Sequence, residues 1–156
     1  MNIRRANTGD IDEILNLLSS VLEIHAKLRP DLFISGKTKY TGEDLSKMVE
    51  DDNNPIFVGD IDGKAAGYCF CEIKNNPATN NTYAKKELYI DDLCVNEDCR
   101  GKGVAKEILE YVKKFAAKNN FDCITLNVWA GNDRAENFYK KQGFSPRKTM
   151  MEITLG

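Results

Sequence analysis

Leu93-Cys94-Val95-Asn96-Glu97-Asp98-Cys99-Arg100-Gly101-Lys102-Gly103-Val104-Ala105 decides how this chain is read. An apolar strand end runs into a polar turn, and an amphipathic helix starts directly behind it. The first amides of a helix lack intrahelical acceptors, and the helix dipole places partial positive charge there. Gly101 and Gly103 carry no Cβ, so an anion can approach the backbone closely. Arg100 and Lys102 add full charge. The guest such a turn suits is a pyrophosphate. The segment is neither a GxxxxGK[ST] phosphate loop nor a GxGxxG dinucleotide fingerprint.

Around this turn the hydrophobic spacing orders the remaining elements. Asn2 to Arg5 fits an edge strand. Thr8-Gly9-Asp10 opens a helix whose face carries Ile11, Ile14, Leu15, Leu18, Leu22 and His25, and Pro30 stops it. A shorter helix is expected over residues 41–50, with Leu45, Met48 and Val49 as its apolar face. Ile56-Phe57-Val58, Asp62-Gly63 and residues 65–73 read as a hairpin. Leu88 to Val95 is the strand that feeds the glycine turn. Val104, Ile108, Leu109, Val112, Phe115 and Ala116 form a helix stripe. A strand over residues 121–128 follows, then a short helix from Asn132 to Lys140 that ends at Gly143. Phe144 to Leu155 is expected to supply one or two closing strands. A meander followed by a β-α-β unit gives a mixed α/β (α+β) sheet, mostly antiparallel and twisted, with helices on both faces. Residues 1–156 read as a single domain.

Composition narrows the function. The chain is 42% hydrophobic and 29% charged with a formal net charge of −2, which offers no broad electrostatic case for nucleic acid or an anionic membrane. Neither a membrane-length apolar run nor a signal-peptide stretch is visible, so a cytoplasmic, soluble protein is expected. Cys69, Cys71, Cys94, Cys99 and Cys123 are an odd set without C-x-x-C, which reads as free thiols. With His25 as the sole histidine, no histidine-rich metal site can form within one chain, and no metal is expected. A Ser-His-Asp triad lacks a nucleophile elbow.

Arg100-x-x-Gly103-x-Ala105 resembles the Q/R-x-x-G-x-G/A signature of the GNAT acetyltransferase superfamily. A second stretch stands at the family's spacing: Leu126-Asn127-Val128, Asn132-x-x-Ala135-x-x-Phe138-Tyr139, then Gly143-Phe144. The element order is also similar, so the likeness spans essentially the whole chain, strongest from Tyr89 to Phe144. It implies a GNAT fold and acetyl-CoA as co-substrate. Leu93, Cys94 and Val95 would pair their backbone with the pantetheine arm beside a bulge. Arg100, Gly101, Lys102, Gly103, Val104 and Ala105 would take the pyrophosphate. Asn132 would contact the cofactor arm, and Tyr139 would sit near the thioester sulfur.

Acetyl transfer needs a neutral amine, a stabilised oxyanion and a proton for the leaving thiolate. Tyr139 is the general-acid candidate. Asp91 and Asp92 are the candidate bases. The acidic base of polyamine-type relatives matches Asp91, while strand alternation would send the two carboxylates to opposite faces. His25 reads as core packing ahead of a base. The expected activity is transfer of acetyl to a primary amine of a small molecule, by direct attack in a ternary complex. Alternatives are a protein or peptide acceptor, or a CoA-binding regulatory domain without catalysis. An acetyl-cysteine route through Cys94 or Cys99 is disfavoured, since no histidine stands nearby in sequence to make a thiolate. Many relatives dimerise, and a homodimer is compatible with this sequence.

Overall fold

The structure is a computed structural model that describes residues 1–156. Five strands form one sheet: β1 (Asn2–Arg5), β2 (Ile56–Ile61), β3 (Lys64–Asn76), β4 (Lys85–Val95) and β5 (Cys123–Leu126), ordered as in the chain. β1 to β4 run antiparallel, and β5 pairs with β4 in parallel. The β2–β3 hairpin turns on Asp62 (φ 54°) and Gly63 (φ 83°), two successive left-handed residues as a two-residue hairpin loop requires.

Helices cover both faces. α1 (Ile11–Leu28) and α2 (Gly42–Met48) close one face over Ile56, Val58, Tyr68 and Phe70. α3 (Val104–Lys118) closes the other over Phe57, Cys69, Cys71, Leu88 and Ile90. α4 (Asp133–Lys141) adds Phe138 and Tyr139 to the rim of this second core. Along α1 the buried face is centred on Ile14, Leu17 and Leu18, one residue round from the face expected at Leu22, which stays half-buried. No helix is long and apolar enough to cross a membrane. Cys69 and Cys71 face the same side with their sulfurs 3.7 Å apart, and all five cysteines are free.

Under α3, Gly59 of β2 is paired with Gly67 of β3. A Cβ on Gly67 would stand 2.9 Å from the Cys94 carbonyl oxygen and 3.1 Å from Ile108 Cδ1; one on Gly59 would stand 3.2 Å from the same Ile108 carbon. The paired glycines thus leave a hollow in the sheet, and Ile108, fully buried, fills it.

At the entrance to α1, Asp10 is the one buried charged side chain. Its carboxylate accepts from Arg4 Nη1 (2.8 Å), Arg4 Nη2 (2.9 Å) and the Asn7 amide (2.9 Å). Burial pushes its pKa up, but the Arg4 bonds, the Asn7 amide and the Arg4 charge outweigh burial, so the carboxyl titrates below its ordinary value. Because that pKa is depressed on folding, its stabilisation is present above the unfolded value and is lost as pH falls through the folded one. Asp10→Ala is therefore expected to cost about 3 kcal/mol at pH 7, the magnitude for breaking a buried ion pair. The loss should shrink on acidification, as urea unfolding at pH 7 and pH 3 would show.

The chain's end differs from expectation. Residues 144–156 form no strand. Phe144 donates to the Tyr139 carbonyl to finish α4, with Gly143 at φ 95°, and no backbone hydrogen bond involves any residue after it. The alternating pattern is present, but a strand exists only where another strand meets its ladder, and this segment meets none. Two ion pairs tether it: Arg147 to Glu87 (3.3 Å) and Glu152 to Arg29 (2.5 Å).

Candidate active site

β4 is where the sheet opens. It pairs with β3 from Lys85 to Val95, but with β5 only from Glu87 to Ile90. From Asp91 onward the edge of β4 that faces β5 is unpaired, so the two strands splay and main-chain groups of Leu93, Cys94 and Val95 are free to meet an added strand.

The splay coincides with a bulge. Phe70 of β3 lies opposite Asp92 and Cys71 opposite Ile90, which leaves Asp91 without a partner. One extra residue reverses the alternation. Leu88 and Ile90 point to the α3 core before the bulge, as do Leu93 and Val95 after it. Asp91 and Asp92 both point to the opposite, α1-bearing face. The expectation that the two carboxylates diverge is thus corrected: alternation fails at the one place where an unpaired residue enters the strand.

The two carboxylates have different surroundings. Asp91 accepts from Lys39 Nζ at 2.7 Å and from the Tyr40 hydroxyl at 3.2 Å. Asp92 accepts from the Tyr68 hydroxyl at 2.6 Å. Burial pushes the Asp92 pKa up; the Tyr68 hydrogen bond opposes this, the Asp91 charge adds to it, and the result is about 6. A carboxylate with that pKa is charged at neutral pH and still basic enough to take a proton. No motif in the sequence marks Tyr68, Lys39 or Tyr40. Tyr68 stands among apolar neighbours in β3, and a polar-tipped aromatic in such a run signals that its hydroxyl has a partner.

Tyr139 packs edge-on against Phe138 (5.2 Å) and Phe144 (5.6 Å). Burial first, then the nearby Cys69, Asp92 and Cys94, raises its pKa well above the ordinary tyrosine value. Its hydroxyl is a donor that keeps its proton. Cys94 is buried, and burial followed by the Asp92 charge pushes its thiol up to about 12. It is no thiolate nucleophile at neutral pH, so the acetyl-cysteine route loses that residue.

Asn96 caps a 3-10 turn by accepting from Asp98 N, and the turn delivers the chain to the glycine loop. Gly101 (φ 77°) and Gly103 (φ 79°) are left-handed, and nothing lies within 4 Å of where their Cβ atoms would be. No amide from Gly101 to Lys106 donates to a backbone carbonyl; the first such bond is Glu107 N to Gly103 O. Free amides, an open cradle and the flanking Arg100 and Lys102 fit a diphosphate. Asn132 caps α4 by accepting from the Ala135 amide at 3.3 Å, which leaves its Nδ2 free for another partner.

An aromatic cluster ties the end of α1 to Trp129. His25 meets Phe33 (5.2 Å), Phe33 meets Trp129 edge-on (5.4 Å), and the Arg29 guanidinium lies over Trp129. Burial, then the Lys39 charge, holds the His25 pKa below its ordinary value, in keeping with a packing role. The acidic run near α2 is taken up locally: Asp44 completes the Thr41 cap, Asp51 holds Asn53 and Asn54, and Asp52 pairs with Arg5.

Comparison with known proteins agrees with this geometry. A solved structure, a mutant of the BH1408 protein of Bacillus halodurans, is 31% identical and superposes with a TM-score of 0.94 over 99% of both chains. An uncharacterized N-acetyltransferase of Bacillus subtilis, YhfO, is 24% identical over 92% of this chain and 89% of its own. A thialysine N-epsilon-acetyltransferase of Sus scrofa is 26% identical over 90% of this chain and 82% of its own. The acetyltransferase (GNAT) family profile matches residues 19–144. With that match spanning most of its length and both motifs on their elements, the chain belongs to the acetyltransferase (GNAT) family.

Proposed function

We propose that residues 1–156 act as one acetyl-CoA-dependent N-acetyltransferase domain that acetylates a primary amine of a small molecule by direct attack in a ternary complex. The observation that carries the reading is the bulge, which sets Asp91 and Asp92 side by side at the mouth of the β4–β5 splay. A relative named for the ε-nitrogen of thialysine supports an alkylamine acceptor.

Acetyl-CoA, when bound, supplies an activated acyl carbon and a thiol leaving group. The amides of residues 101–106, with Arg100 and Lys102, would hold its diphosphate. Leu93, Cys94 and Val95 would hold its arm with the unpaired main-chain groups of β4, and Asn132 would offer it the free Nδ2. An acceptor ammonium exchanges with Lys39 Nζ at Asp91. Asp92 takes the proton that makes the amine a nucleophile. A main-chain N–H in the splay stabilises the oxyanion. Tyr139 donates a hydrogen bond to the departing sulfur from a hydroxyl that burial holds in its neutral form, and the sulfur takes the proton that the acetylated nitrogen releases.

Two measurements separate cofactor binding from chemistry. Gly103→Val places a β-branched residue at a left-handed position and fills the cradle. Calorimetric titration is expected to show acetyl-CoA affinity reduced about 100-fold, close to 2.7 kcal/mol; unchanged affinity would make the loop an ordinary turn. Tyr139→Phe is expected to lower kcat roughly 100-fold, the lower end for a positioned proton donor, with acetyl-CoA binding kept. A parent protein that binds acetyl-CoA tightly but turns over no amine, alkyl or peptide, would replace this reading with a CoA-binding regulatory domain.

A further inference from the structure

Three of the lysines that form ion pairs do so within their own helix: Lys47 with Glu43, Lys113 with Glu110 and Lys140 with Glu136. Lys39 differs. It leaves a loop and places its ammonium 2.7 Å from Asp91 Oδ2. Asp91 is one of the two carboxylates that the β4 bulge sets side by side. The Lys39 charge is felt at Asp92 as well. A lysine ends in a primary alkylammonium, which is the chemical class of acceptor proposed above. The chain's own amine thus stands where a substrate amine would have to come.

The loop that carries Lys39 is pinned at the next residue. Tyr40 stacks on Phe70 (5.6 Å), the β3 residue opposite Asp92, and donates to Asp91 at 3.2 Å. Before it, residues 29–41 form neither helix nor strand. From Ile34 to Tyr40 no main-chain amide donates to a main-chain carbonyl. Tyr40 therefore keeps its neighbour at the carboxylates, while no ladder or helix bond fixes the half-exposed Lys39. A partly exposed ion pair contributes little to stability. This one occupies the carboxylate that a cationic acceptor needs.

We infer that Lys39 is itself an acetylation site, modified by the active site of its own chain. Burial lowers the Lys39 pKa, but the Asp91 hydrogen bond and charge outweigh it and hold the ammonium above its ordinary value. A base must therefore take its proton, as from any alkylammonium, and Asp92 is that base. The neutral Nζ attacks the thioester carbonyl carbon of acetyl-CoA. The C–N bond forms, the C–S bond breaks, and the sulfur leaves with the second proton that the nitrogen releases. The products are Nε-acetyl-Lys39, CoA and protonated Asp92. An acetylated lysine carries no charge, so it gives up Asp91 to an amine from solution. The first turnover clears the site for those that follow. This inference rests on the acetyl transfer proposed above.

Peptide mapping of the full chain by mass spectrometry, before and after incubation with acetyl-CoA alone, tests this. The expected result is one acetyl group per chain, on Lys39, with the exposed Lys37 left free. The rate constant should not change when the protein is diluted. Asp92→Asn should modify Lys39 about 1,000-fold more slowly. Lys39→Gln stands in for the acetylated side chain, whereas Lys39→Arg keeps the ion pair. The first should show a KM for butylamine about fivefold below the second, the effect of removing one partly exposed pair. Equal KM values would overturn the clearing of Asp91. Lys37 acetylated as fast as Lys39 would overturn the inference, as would a rate constant that rises with protein concentration. A parent that acetylates butylamine while Lys39 stays free overturns the inference alone. A parent that acetylates neither overturns the proposed function with it. Should either Lys39 variant fail to fold, mapping of the parent decides the matter.

Discussion

An Asp92→Asn protein is expected to lose about 1,000-fold in kcat, within the range for removing a positioned general base, and yet to melt at a higher temperature than its parent above pH 6. Both outcomes come from one carboxyl. The asparagine oxygen can still accept from the Tyr68 hydroxyl 2.6 Å away, so the geometry survives while the basic group goes. The parent's kcat/KM should fall below pH 6, where Asp92 becomes protonated, with unit slope. The stability effect has the opposite sign. An unfolded aspartate titrates near 3.9, whereas the folded value is about 6. Between these values the folded state binds more protons than the unfolded one, so stability falls as pH rises through the window. The variant lacks that fall. Its gain in melting temperature should be larger at pH 8 than at pH 4. Equal turnover by parent and variant would move the base to Asp91 or to water, and Asp91→Asn tested alongside would tell which.

Ile108→Ala is expected to cost roughly 4 kcal/mol, the upper part of the range for truncating a buried aliphatic side chain. The site cannot collapse. Ile108 sits in the hollow above Gly59 and Gly67, and neither glycine has a side chain that could relax into the vacated space. The floor of the hollow is hydrogen-bonded sheet, which resists inward movement. For a domain of this size the melting temperature should drop by about 10 °C. A loss near 1 kcal/mol would mean that α3 settles onto the sheet, which a crystal structure of the variant would reveal.

What was legible in the residues depended on how local the cause was. The Asp62-Gly63 hairpin, the Arg100–Ala105 loop and the Pro30 stop are each decided within a few residues, and each stands where expected. So does the apolar stripe of α3, with Val104, Ile108, Leu109, Val112 and Ala116 buried. The bulge was not legible. Whether Asp91 is skipped depends on which residue of β3 faces which residue of β4, and nothing in Tyr89-Ile90-Asp91-Asp92-Leu93 alone announces it. Lys39 reaches Asp91 from fifty-two positions away, out of a loop whose composition gives no hint of the contact. The last segment shows a third kind of gap. The closing strands expected over residues 144–155 do not form, because alternation is a property of one strand and pairing a property of two.

The unpaired residue in β4 has a larger meaning than the geometry of two carboxylates. A strand with strict alternation offers neighbouring residues to opposite sides of a wall, so no pair of adjacent side chains can cooperate on a single molecule. One additional residue shifts the phase of everything downstream. It also bends the strand and frees main-chain groups beside the same point. Two neighbouring carboxylates on one face and an unpaired main-chain edge thus occur together at a single inserted residue, an arrangement that side-chain replacements along a regular strand could not imitate.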